Sequence, residues 1–386
     1  MKTHNRLPGA GSFAAVIALG FILATGAIAA STAPQPGANV TYYGGPVISN
    51  VEVTKVIWGH GVSSQITADT AGSMGGFFKS VVASKYIESL APYDTTVPPA
   101  AAAQSIGKGL YLGTAAITPS NLSTTLSYAD IQAELNQQIS AGKLPAPNAN
   151  TYYAVFFPPG FVIGGGNVCA DHDTGVWQGV PYSFGIHPDL SKGPLSLGCG
   201  GGSASTNTTA YASAELVNAI TDPQIGLAAV LGPPVAWYDG VNGYEAASAC
   251  NQNQDTIVGF GGVSYTINQY YAVVAGVAQC VTTNFQAKDF DISALSTNLK
   301  VLRTRSVKAT LQLSATSGAP GPVSLAVSGL PAGITAKLAT AQPLANSTTA
   351  LTLKASSATV PGPYEVIVTA TSGAAVHSLA LLLTVR

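Results

Sequence analysis

The chain has 386 residues, and Asp, Glu, Lys and Arg make up only 9% of them, against a usual ~25%, with a net charge of −1. That balance excludes the basic footprint of a nucleic-acid binder and polybasic attachment to anionic lipid. It suits a neutral partner such as polysaccharide or cell-surface material, and equally an exported protein surfaced with Ser, Thr, Asn and Gln.

The first 29 residues predict a signal peptide: Lys2 and Arg6 give a basic start, Phe13 to Gly26 an apolar run, and Ala27-Ile28-Ala29 a small-x-small cleavage site. The run is shorter than the ~20 residues of a spanning helix, so the mature chain is expected to have no membrane span and to be secreted, extracellular or periplasmic. Residues 30–40 form a polar, Pro-containing lead-in. About 355 residues remain, above the ~100 to 200 of one domain, which predicts two domains.

Residues 41–295 predict a larger domain of α/β or α+β class with a mixed sheet. Val51 to Trp58 is rich in β-branched residues and predicts a strand, and Met74 to Leu90 a helical stretch carrying Phe77, Phe78, Val81 and Val82. Ser127 and Asp130 form a capping-box signature ahead of Ile131, Leu135 and Ile139, the stripe of a helix. Thr151 to Phe157 is apolar on both faces and predicts a central strand. Past Pro158 the sequence predicts Gly-rich loops holding Cys169 and His172, then a strand at Tyr182 to Ile186. Tyr211 to Thr221 predicts a helix with Ala212, Leu216, Ala219 and Ile220 inward and Pro223 ending it. Tyr270 to Cys280 is a hydrophobic segment that closes the domain.

Residues 296–302 are expected to be a linker. From 303 to 386 apolar and polar residues alternate with turn residues every 8 to 12 positions, as in PVSLAVSGL, TALTLKASS and HSLALLLTV. That pattern predicts a β-sandwich of immunoglobulin type. Gly329 to Ile334 and Pro363-Tyr364 resemble the immunoglobulin-like modules appended to secreted bacterial enzymes and adhesins. Its expected job is spacing or attachment.

Four cysteines, Cys169, Cys199, Cys250 and Cys280, allow three pairings and suit an oxidising compartment. The expected pairs are Cys169 with Cys199 and Cys250 with Cys280. Each closes a loop of about 30 residues, worth roughly 3.5 kcal/mol in the chain-entropy model. No CxxC or compact Cys/His cluster announces a structural zinc site.

The densest local signal is Ala214-Glu215-Leu216-Val217-Asn218-Ala219-Ile220-Thr221-Asp222-Pro223, followed by Trp237-Tyr238-Asp239 and by Gly243-Tyr244-Glu245-Ala246-Ala247-Ser248-Ala249-Cys250. With the opening GGPVISNVEVTKVIWG and Cys169-Ala170-Asp171-His172, these landmarks resemble the EXORDIUM (phosphate-induced protein) family over roughly residues 40 to 290. The resemblance implies an exported, wall-located protein linked to growth, with no settled biochemical activity. Bacterial and fungal sequences similar to that family often carry His-Glu-x-x-Glu before the Thr-Asp-Pro and Glu-x-x-Asp-x-Cys after it, which looks like a zincin-like zinc peptidase. There, side chains one helical turn apart reach one metal and a Glu serves as base for bound water.

This chain departs from that pattern. Ala214 stands where the His would be, Asn218 where the second Glu would be and Ser248 where the later Asp would be, so only Glu215 and Glu245 survive. Alanine ligates nothing and neutral Asn is a poor zinc ligand. No cofactor is therefore expected, with zinc as the alternative. The candidate catalytic residues are Glu215, Glu245 and His172, and the candidate metal ligands are His172 and Glu245.

Glu215 and Glu245 would serve acid/base chemistry at a separation of roughly 5 to 9.5 Å; the bland expectation is that each bonds backbone amides near Pro223 and Cys250. His172 is crowded by Asp171, Asp173 and Cys169, while His187 with Asp189 is a weaker candidate. Asp173-Thr174-Gly175 spells an aspartic-peptidase triplet but has no second copy. No Gly-x-Ser-x-Gly elbow or phosphate-binding glycine loop is present. The aromatic pairs Tyr42-Tyr43, Tyr152-Tyr153, Trp237-Tyr238 and Tyr270-Tyr271 are candidate sugar-stacking platforms. Three functions follow: a non-catalytic extracellular module on a peptidase-like scaffold, a secreted hydrolase (metallopeptidase with atypical ligands or carboxylate-pair glycosidase), and an adhesive protein binding through its sandwich.

Overall fold

The computed structural model describes residues 33–95, 102–166, 168–251, 253–283, 289–316 and 321–386. The expected signal peptide lies outside the described residues. The protein is a mixed α/β structure, mostly sheet.

Its centre is a parallel sheet. Asn50–Trp58 (β1) pairs in parallel with Gly107–Ile117 (β2) on one side and Thr151–Phe157 (β3) on the other. Val180–Pro188 (β5) continues it in parallel next to β3, and Asp171–Trp177 (β4) closes the edge antiparallel to β5. All seven residues of β3 are buried, as a doubly apolar strand requires when helices cover both faces of a parallel sheet. Tyr152, Ala154 and Phe156 enter the core that holds Phe77, Phe78 and Leu216; Tyr153, Val155 and Phe157 enter the one that holds Ile131, Leu135 and Ile139.

The helices follow from those two cores. Met74–Val81 (α1) and the short Lys85–Glu88 (α2) cover one face, with Ala204–Thr221 (α4), while Tyr128–Ser140 (α3) covers the other. The expected helical stretch over Met74 to Leu90 is broken at Val82–Ser84, where the Ser84 hydroxyl donates to the Val81 carbonyl at 2.6 Å and a new turn starts. At α3 the capping box is present: the Ser127 hydroxyl accepts from the Asp130 amide at 3.2 Å and the Asp130 carboxylate accepts from the Ser127 amide at 2.8 Å. Ser127→Ala is expected to cost about 1 kcal/mol in urea denaturation; an unchanged midpoint would contradict the capping role.

Helix α4 begins seven residues earlier than the sequence reading placed it. Its first half, ASTNTTA, carries no apolar stripe, yet Thr208 and Thr209 are buried, as is Ser213 in the following turn. Their hydroxyls donate to the carbonyls of Ala204, Thr206 and Ala210, which satisfies them inside the helix and lets a polar sequence lie in a core.

Two hairpins complete the large domain, Gln254–Val258 (β6) with Ser264–Asn268 (β7) and Tyr270–Val274 (β8) with Val277–Val281 (β9). The hydrophobic segment at Tyr270 to Cys280 is thus a hairpin that turns at Ala275-Gly276, where both residues have positive φ.

The sandwich starts at Phe290, not at residue 303. Phe290–Ala294 (β10) and Asn298–Val301 (β11) pair within it, so the expected linker over 296–302 is largely a strand. Short strands flanked by polar residues give a weak alternation, which reads as linker. Ser306–Ala315 (β12), Ser324–Ser328 (β13), Ile334–Leu338 (β14), Ser347–Ala355 (β15), Gly362–Ser372 (β16) and Ala375–Val385 (β17) fall where the period-2 pattern put them. One sheet has the order β10-β12-β15-β14; the other joins β13, β16, β17 and β11, and their inner faces share a core of their own.

The second sheet also runs on into the central one. Strand β17 meets β2 in parallel at Leu379 and Lys108, where a Cβ on Gly107 would lie 2.0 Å from the Ser378 hydroxyl. Only glycine permits that approach. Both expected disulfides are present, Cys169–Cys199 and Cys250–Cys280. Among the described residues no helix is long and apolar enough to cross a membrane.

Candidate functional site

Three pieces of chain far apart in sequence meet where the antiparallel edge of the sheet crosses α4. His172 lies on β4, a strand and not the loop expected. Its sequence, DHDTGVW, alternates polar residues with residues that face the domain interior, so hydropathy gave no signal, while His172 and Thr174 point inward and are buried. Glu215 lies on α4 and Glu245 in the loop leading to the 3-10 turn Ser248–Cys250.

The His172 side chain is 1% exposed and stands between the two carboxylates. Its Nδ1 is 3.2 Å from Glu215 Oε2 and its Nε2 is 3.4 Å from Glu245 Oε1, with the Asp222 carbonyl oxygen also 3.4 Å from Nε2. Glu215 and Glu245 keep 12% and 16% of their side chains exposed, although the Glu245 oxygen facing the imidazole is buried. The Nδ1 hydrogen bond goes to Glu215 and the Nε2 hydrogen bond to the Asp222 carbonyl, with Glu245 Oε1 at ion-pair distance from Nε2. Both carboxylates face one histidine.

The positions that would carry a zinc peptidase's ligands are used otherwise. Ala214 offers no donor, the Asn218 side-chain oxygen accepts from the Ala247 amide at 2.8 Å, and the Ser248 hydroxyl accepts from the Glu245 amide at 2.6 Å. Asn218 and Ser248 pin the Glu245 loop to α4 and to itself. That ligand set does not fit zinc. A different set is close at hand, because Asp171, His172 and Glu215 each place one donor atom within 4.8 Å of the others. Asp171 also accepts from the Tyr128 hydroxyl and from the His172 amide. Of the two expected metal ligands, His172 belongs to this group, and Asp171 stands in it where Glu245 was expected.

The surroundings are electrostatically strained. Asp222, the residue that ends α4, is fully buried; burial first and the Glu245 charge second push its carboxyl well above the usual range, against the pull of the Ala236 amide and His172. One of its oxygens has no hydrogen-bond partner. His187 on β5, bonded to the Tyr152 hydroxyl at 3.1 Å and stacked on Phe156, is pushed down to about 3 by burial and by His172, so it is neutral at ordinary pH. Asp189, its expected companion, caps the Ser63 and Ser191 amides. Perturbed groups around the pair of carboxylates make this cluster the candidate site.

The aromatic pairs expected as stacking platforms are mostly core. Tyr152, Tyr153, Tyr270 and Tyr271 are buried, and Tyr42 packs against Trp237 with ring centroids 5.1 Å apart. Sequence reasoning missed Tyr128, Tyr211 and Asp222. Tyr211 sits one turn before Glu215 on the same face of α4, and i, i+4 spacing was the signal available for it.

No protein-family model and no curated protein matches the chain. Solved structures match parts of it. Domains 4 and 5 of the S-layer protein SbsC align at 12% identity and a TM-score of 0.20, covering 32% of this chain and 57% of that one. The GH5 xyloglucanase of Bacteroides ovatus aligns at 15% identity and a TM-score of 0.20, covering 25% and 19%. Titin domain M7 aligns at 12% identity and a TM-score of 0.19, covering 27% and 99%. The chain thus spans less than two thirds of the length of the first two.

Proposed function

We propose that this is an exported protein with an EXORDIUM-like large domain, acting at a cell surface or on extracellular polysaccharide as a non-catalytic module. One observation carries the reading: where a zinc peptidase would hold its metal, Ala214, Asn218 and Ser248 supply no ligand and His172 bridges the two surviving carboxylates. An imidazole between two carboxylates stands where a cation would, facing one oxygen of each. The two disulfides support an oxidising, extracellular setting. The half-exposed Tyr128 and Tyr211 beside the carboxylates would offer a sugar ring one flat face and several acceptors.

A second reading, a secreted hydrolase with atypical ligands, is favoured by the close donors of Asp171, His172 and Glu215. A zinc ion held there would lower the pKa of a bound water toward ~7. Metal analysis of the purified protein after dialysis against zinc separates the two. The non-catalytic reading expects well under one zinc per chain; stoichiometric zinc that disappears in Asp171→Asn would sink it. Retention of the full chain on insoluble glycan, weakened by Tyr211→Ala, is the expected result for the polysaccharide partner. No retention on cellulose, chitin or xylan would remove that partner.

A further inference from the structure

Where the large domain meets the sandwich, one amine and two carboxyl groups are buried against each other. Lys108, the second residue of β2, is 2% exposed; Asp291 on β10 is 6% exposed; Glu88, the last residue of α2, is fully buried. The Lys108 Nζ donates directly to the Asp291 carboxylate and, at 2.6 Å, to the Ile292 carbonyl. Glu88 approaches the same nitrogen. Its Oε2 is buried, accepts no hydrogen bond and lies 3.3 Å from Nζ, while its Oε1 accepts from the Ile292 amide at 3.4 Å and lies 3.5 Å from His377 Nδ1. On either side of Asp291, Phe290 and Ile292 enter the sandwich core, and Ile87, next to Glu88, enters the core of the large domain. A cavity of about 100 Å³ lined by Glu88, Asp289 and His377 adjoins the cluster.

An ammonium and a carboxylate in contact, both nearly out of reach of water, are costly to keep charged because each has given up its hydration. The same contact is the starting geometry of a condensation. Joining Nζ to the Asp291 Cγ turns the two charged groups into one neutral amide and expels a water, so both buried charges vanish together. Holding the partners in one place also replaces a chance encounter, an advantage that reaches roughly 10⁵ to 10⁸ M in effective concentration. The pair by itself lacks a proton carrier, since the nitrogen must shed protons and the departing oxygen must gain one. Glu88 is placed for that role. Burial, opposed by the Lys108 charge, raises its carboxyl well above the usual range, so it keeps a proton; burial acts on Asp291 too, but Glu88 and Lys108 outweigh it and hold that carboxyl below its usual range.

We propose that Lys108 and Asp291 condense into an intramolecular isopeptide bond, with Glu88 as the proton carrier, and that this bond joins the large domain covalently to the sandwich. The step balances within the three side chains. Along the existing hydrogen bond the ammonium passes one proton to the Asp291 carboxylate. The freed lone pair on Nζ then forms the bond to Cγ, and the carbonyl electron pair moves onto its oxygen. Glu88 gives its proton to the departing hydroxyl and takes one from the nitrogen; the C–O bond breaks, the carbonyl re-forms and water leaves. Glu88 ends as it began, and an ammonium and a carboxylate have become an amide and a water, with nothing oxidised or reduced. The cross-link ties positions 183 apart in the chain, and by restricting the unfolded chain it stabilises the docked arrangement.

Mass spectrometry of the purified full chain, reduced and denatured, tests this. Counted from its observed N-terminus, the chain is expected to be about 18 Da lighter than its sequence, the mass of one water. Trypsin is expected to yield a branched peptide that joins residues 86–143, uncleaved at Lys108, to residues 289–300. Asp291→Ala is expected to restore the full mass. Glu88→Gln, with its fold checked by circular dichroism, is expected to yield roughly tenfold less branched peptide or lower still; Glu88→Ala serves if that variant does not fold. A parent chain at its full sequence mass would overturn the bond. So would a water deficit without the branched peptide, as a succinimide would give, and undiminished branching in the folded Glu88 variant would overturn the role of Glu88.

Discussion

His172→Ala is expected to destabilise the protein by about 3 kcal/mol or more, because it leaves Glu215 and Glu245 facing an emptied, mostly buried space with no counter-charge between them. Part of that loss is electrostatic and part is the volume of the ring. The two separate in a second variant: adding Glu215→Gln and Glu245→Gln to His172→Ala removes the stranded charges and is expected to restore roughly 1 to 2 kcal/mol. Urea denaturation reads both. A loss under about 0.5 kcal/mol for the single change, or no recovery in the triple variant, would mean that the imidazole is not what holds the two carboxylates together.

The other large effect is expected from Cys280→Ser paired with Cys250→Ser, which opens the loop that carries β6 to β8. The chain-entropy model gives roughly 3.5 kcal/mol for a loop of about 30 residues, and two buried hydroxyls replacing core sulfurs add to it. The consequence reaches the site, since Cys250 ends the turn that follows Glu245 and the Ala247 amide anchors that turn to Asn218. Calorimetry of the double variant is expected to show a single transition well below that of the parent. Removing Cys169–Cys199 should cost less, because that bridge ties a surface loop whose residues 195–198 are not buried. If the two removals have equal effect, the burial argument is wrong.

Sequence legibility tracked how a segment meets the core. The sandwich strands, β3 and α3 were readable because each shows a regular periodicity against one or two apolar faces. The strand carrying His172 was not, because an edge strand with polar residues on its outer face and His and Thr on its inner one has no hydropathic alternation. The front half of α4 was not either, since its burial rests on hydroxyls that bond their own helix. The start of the sandwich was missed because β11 is stabilised by pairing with β17, about 80 positions away.

What the sequence by itself determined is the inventory: four cysteines, a central apolar strand, a run of alternating strands toward the C-terminus, and three candidate groups in His172, Glu215 and Glu245. What only the tertiary structure decided is their relation. A histidine 43 positions before Glu215 falls between that carboxylate and the next because β4 runs antiparallel along the sheet edge beside α4, a placement set by long-range pairing that no local pattern encodes. Charge compensation depends on distance in space, so the same three residues that read as separate possibilities along the chain become one buried unit in the fold.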